Sequence, residues 1–381
     1  MSVFDVMPPR KGTGSLKWDQ RPELRPYWGA DMDFVSPPEV IDALHRRVEH
    51  GVFGYAVPHD GLVESILDYL RERHGVSSSP EDLIHLGGLV PALSLACRAF
   101  GEENDSVLTC TPIYPPFLHV HRDAGLRLAT VPYVFLDGKW SFDWDGLERA
   151  VTPETKLFLL SNPQNPLGRV FSEKEILQLA AFCDQHDLIL ISDEIHCDLI
   201  LEEQETPHFT ALRLPNPHAE RTITLLSPSK TYNIAGMGYA YAVIPDPGLR
   251  KRFTGVRGHT LAEITCLGYY AAEAAYRHGE SWRLKLISYL RDNRNLITSF
   301  CREEMGSIEI PDIEATYLAW MNFQPAGISD PAPYFEKEAR LFLSDGRHFG
   351  EQGHARLNFG CSRSYLEEAL SVIRETLAKQ T

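Results

Sequence analysis

Three short apolar runs in the middle of the chain each end abruptly in a polar cluster. Lys156–Leu160 runs into Ser161-Asn162-Pro163-Gln164-Asn165-Pro166-Leu167-Gly168, Leu188–Ile191 into Ser192-Asp193-Glu194-Ile195-His196, and Thr222–Leu226 into Ser227-Pro228-Ser229-Lys230-Thr231. Runs of this length, rich in Leu and Ile and bounded by turn formers, predict buried strands. Between the first two, Ser172 and Glu175 form a capping-box pattern, and Ile176, Leu179, Ala180 and Cys183 share one helical face. The same reading predicts a helix near Glu39–Glu49 after Pro37-Pro38, an amphipathic helix over Leu62–His74 and a strand at Leu83–Leu86. It adds a helix over Pro91–Phe100 closed by Gly101, and a long amphipathic one near Ser281–Met305. Alternation of helix and strand predicts an α/β fold, a mostly parallel sheet sandwiched by helices. Residues 41–280 read as a large domain; 1–40 and 281–381 read as the two parts of a smaller α/β domain.

Bulk properties narrow the function. With 381 residues the chain can bury a substantial core, and 43% apolar with 23% charged residues are ordinary globular values. A formal net charge of −15 argues against nucleic acid or an anionic membrane as partner. No apolar run approaches the roughly 20 residues that span a bilayer, and Met1–Asp5 has no secretory pattern. The seven cysteines are scattered, without a CxxC pair, which predicts a reducing, cytoplasmic setting with neither disulfides nor a metal site.

Ligands of open α/β sheets sit outside the carboxyl ends of the strands. An amide (Asn165), a carboxylate (Asp193) and a lysine (Lys230) delivered there match the needs of pyridoxal 5'-phosphate. The lysine binds that cofactor covalently, and the acid pairs with its pyridine nitrogen so that the ring draws off electrons. Other readings stand beside these: a helix N-cap for Asp193, turn chemistry for Asn165, a surface lysine for Lys230.

The segments around these residues resemble the fold type I aminotransferase superfamily. More narrowly, Lys17-Trp18-Asp19, Ala30-Asp31-Met32-Asp33-Phe34, Gly51-Val52-Phe53-Gly54-Tyr55, Thr316-Tyr317-Leu318-Ala319-Trp320 and Arg356-Leu357-Asn358 resemble the cystathionine β-lyase-like C–S lyases of the MalY/PatB type. The resemblance implies that Lys230 carries the cofactor and moves the Cα proton, that Asp193 pairs with the ring nitrogen, and that Asn165 meets the ring oxygen. Tyr114 would stack on the ring with Ile195 on its other face, and His196 would be a further contact. Ser227, Ser229 and the Gly88-Leu89-Val90 segment would hold the phosphate, where free amides and a helix start favour an anion. Arg356, with Asn165 and Ala30, would bind the amino-acid substrate, its planar guanidinium gripping the α-carboxylate. Tyr55 would reach the phosphate of a neighbouring subunit, implying a homodimer with shared sites. Read without the family, Tyr114 is a turn tyrosine, Tyr55 a core aromatic and Arg356 one half of a salt bridge.

Departures from the family pattern accompany the matches. Gly238 stands where many aminotransferases have a phosphate-binding arginine, Leu86-Gly87-Gly88 replaces Thr-Pro-Gly, and Asp345 takes the place of a frequent proline. The expected activity is β-elimination from a cysteine thioether to thiol, pyruvate and ammonia. The alternatives are an aminotransferase, a divergent enzyme of specialised metabolism using the same cofactor, and a regulatory binder.

Overall fold

The computed structural model describes residues 2–258 and 261–379. Its centre is a seven-stranded sheet in the spatial order Leu83–Leu86, Ala240–Val243, Thr222–Leu226, Ile189–Asp193, Thr155–Ser161, Ser106–Thr111, Arg127–Pro132. All pairs are parallel except those of Ala240–Val243, which runs antiparallel to both its neighbours. The sheet is therefore mostly parallel, and the three apolar runs are adjacent strands at its middle.

Burial on both faces explains why these strands read as unbroken apolar runs. Leu157, Leu159, Ile189, Ile191, Ile223 and Leu225 enter one core, with the helix Leu89–Phe100 above them. Phe158, Leu160, Leu188 and Leu190 enter the other, covered by the helix Glu173–Gln185 through Ile176, Leu179, Ala180 and Cys183. That helix opens with the expected capping box, Ser172 and Glu175 bonding each other's backbone amides. The helix expected from Pro91 begins two residues sooner, at Leu89, with only Gly87 and Gly88 between it and the strand Leu83–Leu86.

A second set of elements packs beside the sheet. Leu318–Asn322 and Ser344–Asp345 both pair antiparallel with His354–Asn358, and Arg25–Pro26 pairs parallel with Leu341–Phe342. Phe4, Tyr27, Met32 and Phe34 share one core with Trp282, Leu286, Tyr317 and Leu366. The helices here are Glu280–Glu304, Pro331–Ala339 and Arg363–Ala378. Among the described residues no helix is long and apolar enough to cross a membrane.

Candidate active site

The middle strands stop in register, with Ser161 opposite Asp193 and Asp193 opposite Leu225, so their polar ends face one place. There lies a cavity of about 200 Å³ whose wall includes Ala30, Leu89, Val90, Tyr114, Asn165, Asp193, Ile195, His196, Ser229 and Lys230. It adjoins an outer cleft of about 1070 Å³ that shares Ala30, Tyr114 and Lys230 and is bounded by Arg356.

Asp193 is the last residue of its strand and is only 6% exposed. No α-helix follows it; its carboxylate instead accepts the Ile195 amide at 3.0 Å. Burial raises its pKa to about 7, since removing water penalises the charged form. Lys230 donates to the Ala30 carbonyl at 2.7 Å, and burial lowers its amine to about 8. The helix starting at Leu89 offers unpaired first-turn amides beside Gly88, a setting that attracts an anion.

Arg356 is 4% exposed and makes no salt bridge: one guanidinium nitrogen donates to Asn165 Oδ1 at 2.8 Å, the other to Ser344 Oγ at 3.3 Å. Its guanidinium lies 4.7 Å from the Phe349 ring centre, and burial lowers its pKa to about 10. Leaving an arginine this buried without a counter-charge is costly unless an anion completes it. Its Nε and the Nδ1 of His196 are buried atoms without a partner. His196, whose pKa burial depresses to about 3, is neutral. Burial likewise raises the Tyr114 phenol, so it remains protonated.

Two expected residues sit elsewhere. Ser227 stands behind Ser229, its hydroxyl donating to the Tyr239 carbonyl at 2.7 Å and accepting the Ser229 amide at 3.1 Å. Of the pair, only Ser229 lines the cavity. Tyr55 is fully exposed on an irregular stretch and is neither in the core nor at this cavity. Gly238 takes a left-handed φ of 59°, a conformation an arginine adopts only with strain. Tyr317, Phe349 and Ser344 escaped the sequence reading as site residues. Tyr317 sits inside a motif already singled out, but Phe349 and Ser344 act only through contacts with Arg356, which spacing does not reveal.

An unpaired buried guanidinium edge, a buried carboxyl group, a free imidazole nitrogen, a lysine and a helix start form a donor set suited to a planar, phosphorylated, covalently held group. Comparison with known proteins agrees. The Aminotransferase class I and II model matches residues 29–373. Cystathionine beta-lyase PatB of Bacillus subtilis is 35% identical over 98% of this chain and 100% of its own length. The crystal structure of OvoB superposes with a TM-score of 0.95 at 40% identity, covering 98% of each chain. The PLP-bound C-S lyase of Staphylococcus hominis superposes at 0.93 with 30% identity, covering 99% of each. By sequence and by fold, the chain belongs to the aminotransferase class I and II family.

Proposed function

We propose that this chain is a pyridoxal 5'-phosphate-dependent C–S β-lyase that, with one water consumed, converts a cysteine thioether into thiol, pyruvate and ammonia. One observation carries the reading: Lys230, Asp193 and Asn165 meet in one buried cavity, with Arg356 bonded to Asn165 at 2.8 Å. The whole-length likeness to a cystathionine β-lyase and to a PLP-bound C–S lyase supports it.

Lys230 would hold the cofactor, Ser229 and the amides from Leu89 would take its phosphate, and Tyr114 and Ile195 would flank its ring. Asp193 would pair with the ring nitrogen, and Asn165 with His196 would meet the ring oxygen. When bound, the cofactor withdraws electrons from the substrate's Cα. Arg356 anchors the α-carboxylate with two parallel hydrogen bonds, and Phe349 beneath it restricts tilting. That anchorage fixes which Cα bond faces Lys230. The lysine amine, held near pH 8 by burial, accepts the Cα proton close to neutrality. Loss of the β-thiolate follows, with Ala30 and the outer cleft left to accommodate the leaving group.

The exposed stretch Val52, Phe53, Tyr55 and Val57 supports assembly as a homodimer in which Tyr55 reaches the partner's phosphate. Buried, unbridged cysteines support a cytoplasmic setting. The deciding assay incubates the holoenzyme with cystathionine or an S-alkyl cysteine, with and without a keto acid. Thiol and pyruvate without the keto acid are expected; turnover only in its presence would make the chain an aminotransferase.

A further inference from the structure

Tyr317 is buried, and its hydroxyl donates to the Ala30 carbonyl at 2.7 Å. The same oxygen accepts Lys230 Nζ at 2.7 Å. A carbonyl oxygen has two lone pairs, so both donors fit. Each also draws electron density that the other would use, so they compete.

The surroundings keep this junction from relaxing. Thr316, just before Tyr317, has a φ of 74°, a strained backbone for a β-branched residue. It is held by its amide donating to Leu199 O at 2.8 Å and by its hydroxyl accepting the Leu318 amide at 3.1 Å. The Ala30 peptide is pinned from both sides, since Asn358 Nδ2 donates at 2.8 Å to the carbonyls of Gly29 and of Asp31. Burial keeps the Tyr317 phenol protonated and therefore a donor.

We propose that Tyr317 is a positioning residue that shares the Ala30 carbonyl with Lys230 and so sets where the lysine amine rests whenever it is not bound to the cofactor. The proposal rests on the reading of Lys230 as the group that moves the Cα proton. Two effects follow from the shared acceptor. The amine is kept at one point of the cavity wall, and its ammonium form is held less tightly than an undivided carbonyl would hold it.

The test uses the full chain stripped of cofactor and acetic anhydride as probe, with acetylation of Lys230 followed by peptide mass spectrometry against pH. Only the neutral amine reacts. Tyr317→Phe keeps the ring, removes the competing donor and should cut acetylation at a fixed pH below the midpoint by about three- to tenfold. Fluorotyrosine at position 317, a stronger donor, should shift it the other way. In the holoenzyme, Tyr317→Phe should retain cofactor absorption while exchanging the substrate α-proton more slowly. Unchanged acetylation profiles in both variants would overturn the proposal, and the fluorotyrosine protein decides alone if Tyr317→Phe does not fold. Because acetylation requires no substrate, a missing lyase activity would count against the proposed function and not against this arrangement.

Discussion

The inner cavity and the outer cleft share Ala30, Tyr114 and Lys230 yet are built on opposite principles. The inner wall is centred on the ends of three adjacent parallel strands, completed by the helix start at Leu89 and by Ala30 and Tyr114, and its polar groups are few and individually positioned. The outer wall comes from segments of mixed structure far apart in sequence: Trp28 packed 4.9 Å from Phe342, Glu336 of the helix Pro331–Ala339, and the exposed Arg347 and His348. Removing water shifts Asp193, Lys230 and His196 well away from their ordinary values. In the cleft, Arg347 simply pairs with Asp345 and Asp330 at the surface. Chemistry common to a superfamily suits the rigid strand ends, and discrimination among leaving groups suits the variable rim.

Substitutions can break that division, and the largest effect belongs to Lys230. Lys230→Ala should abolish the yellow cofactor absorption and lower turnover by about a thousandfold or more. Covalent cofactor mapped to another lysine would sink the assignment. Asp193→Asn should cost about a hundred- to thousandfold in the chemical step while some cofactor remains bound; single-turnover kinetics report this. The same variant tests burial itself. Asp193 has a folded pKa near 7, above its unfolded 3.8, so its ionisation weakens the cofactor-free fold increasingly as pH rises from 3.8 through 7. Asparagine should thus leave thermal stability unchanged below the carboxylate range and raise it above neutrality. A melting curve indifferent to pH would show the carboxyl to be solvated.

Arg356→Lys should cut kcat/KM about a hundredfold with the cofactor absorption intact, because an ammonium cannot reproduce the two-pronged grip. Smallest of all, Trp28→Ala should change the relative kcat/KM for two S-substituted cysteines by about tenfold at most, leaving the spectrum alone. If Trp28→Ala instead matched Arg356→Lys, rim and interior would be one functional unit.

What could be read from sequence follows the same boundary. The strand-end residues were legible because a buried strand must be apolar and must stop, so a polar cluster after it stands out. The helix Glu173–Gln185 was legible from local capping and one buried face. The helix N-cap alternative for Asp193 failed for a tertiary reason. The next residue, Glu194, turns inward to accept Ala211 N–H at 2.7 Å, Ser192 Oγ at 3.0 Å and His208 Nε2 at 2.8 Å. Those bonds draw the chain into turns that no propensity anticipates. Thr316 is similar, since a β-branched residue signals extended backbone and only packing forces its positive φ. Ser227 was expected near the phosphate with Ser229, and sequence proximity to Lys230 does not reveal that its hydroxyl meets the Tyr239 carbonyl here.

The pairing of Arg25–Pro26 with Leu341–Phe342 also bears on how the molecule is made. A ribosome releases the first strand long before the second, and domains assemble in the order in which they emerge. Until then Arg25–Pro26 has no strand to join and Asn358 is not there to fix Gly29 and Asp31. Asn233, Arg10 and Lys17 already hold residues 31–34, so the C-terminal strands add the last fastenings to a segment partly held before they emerge.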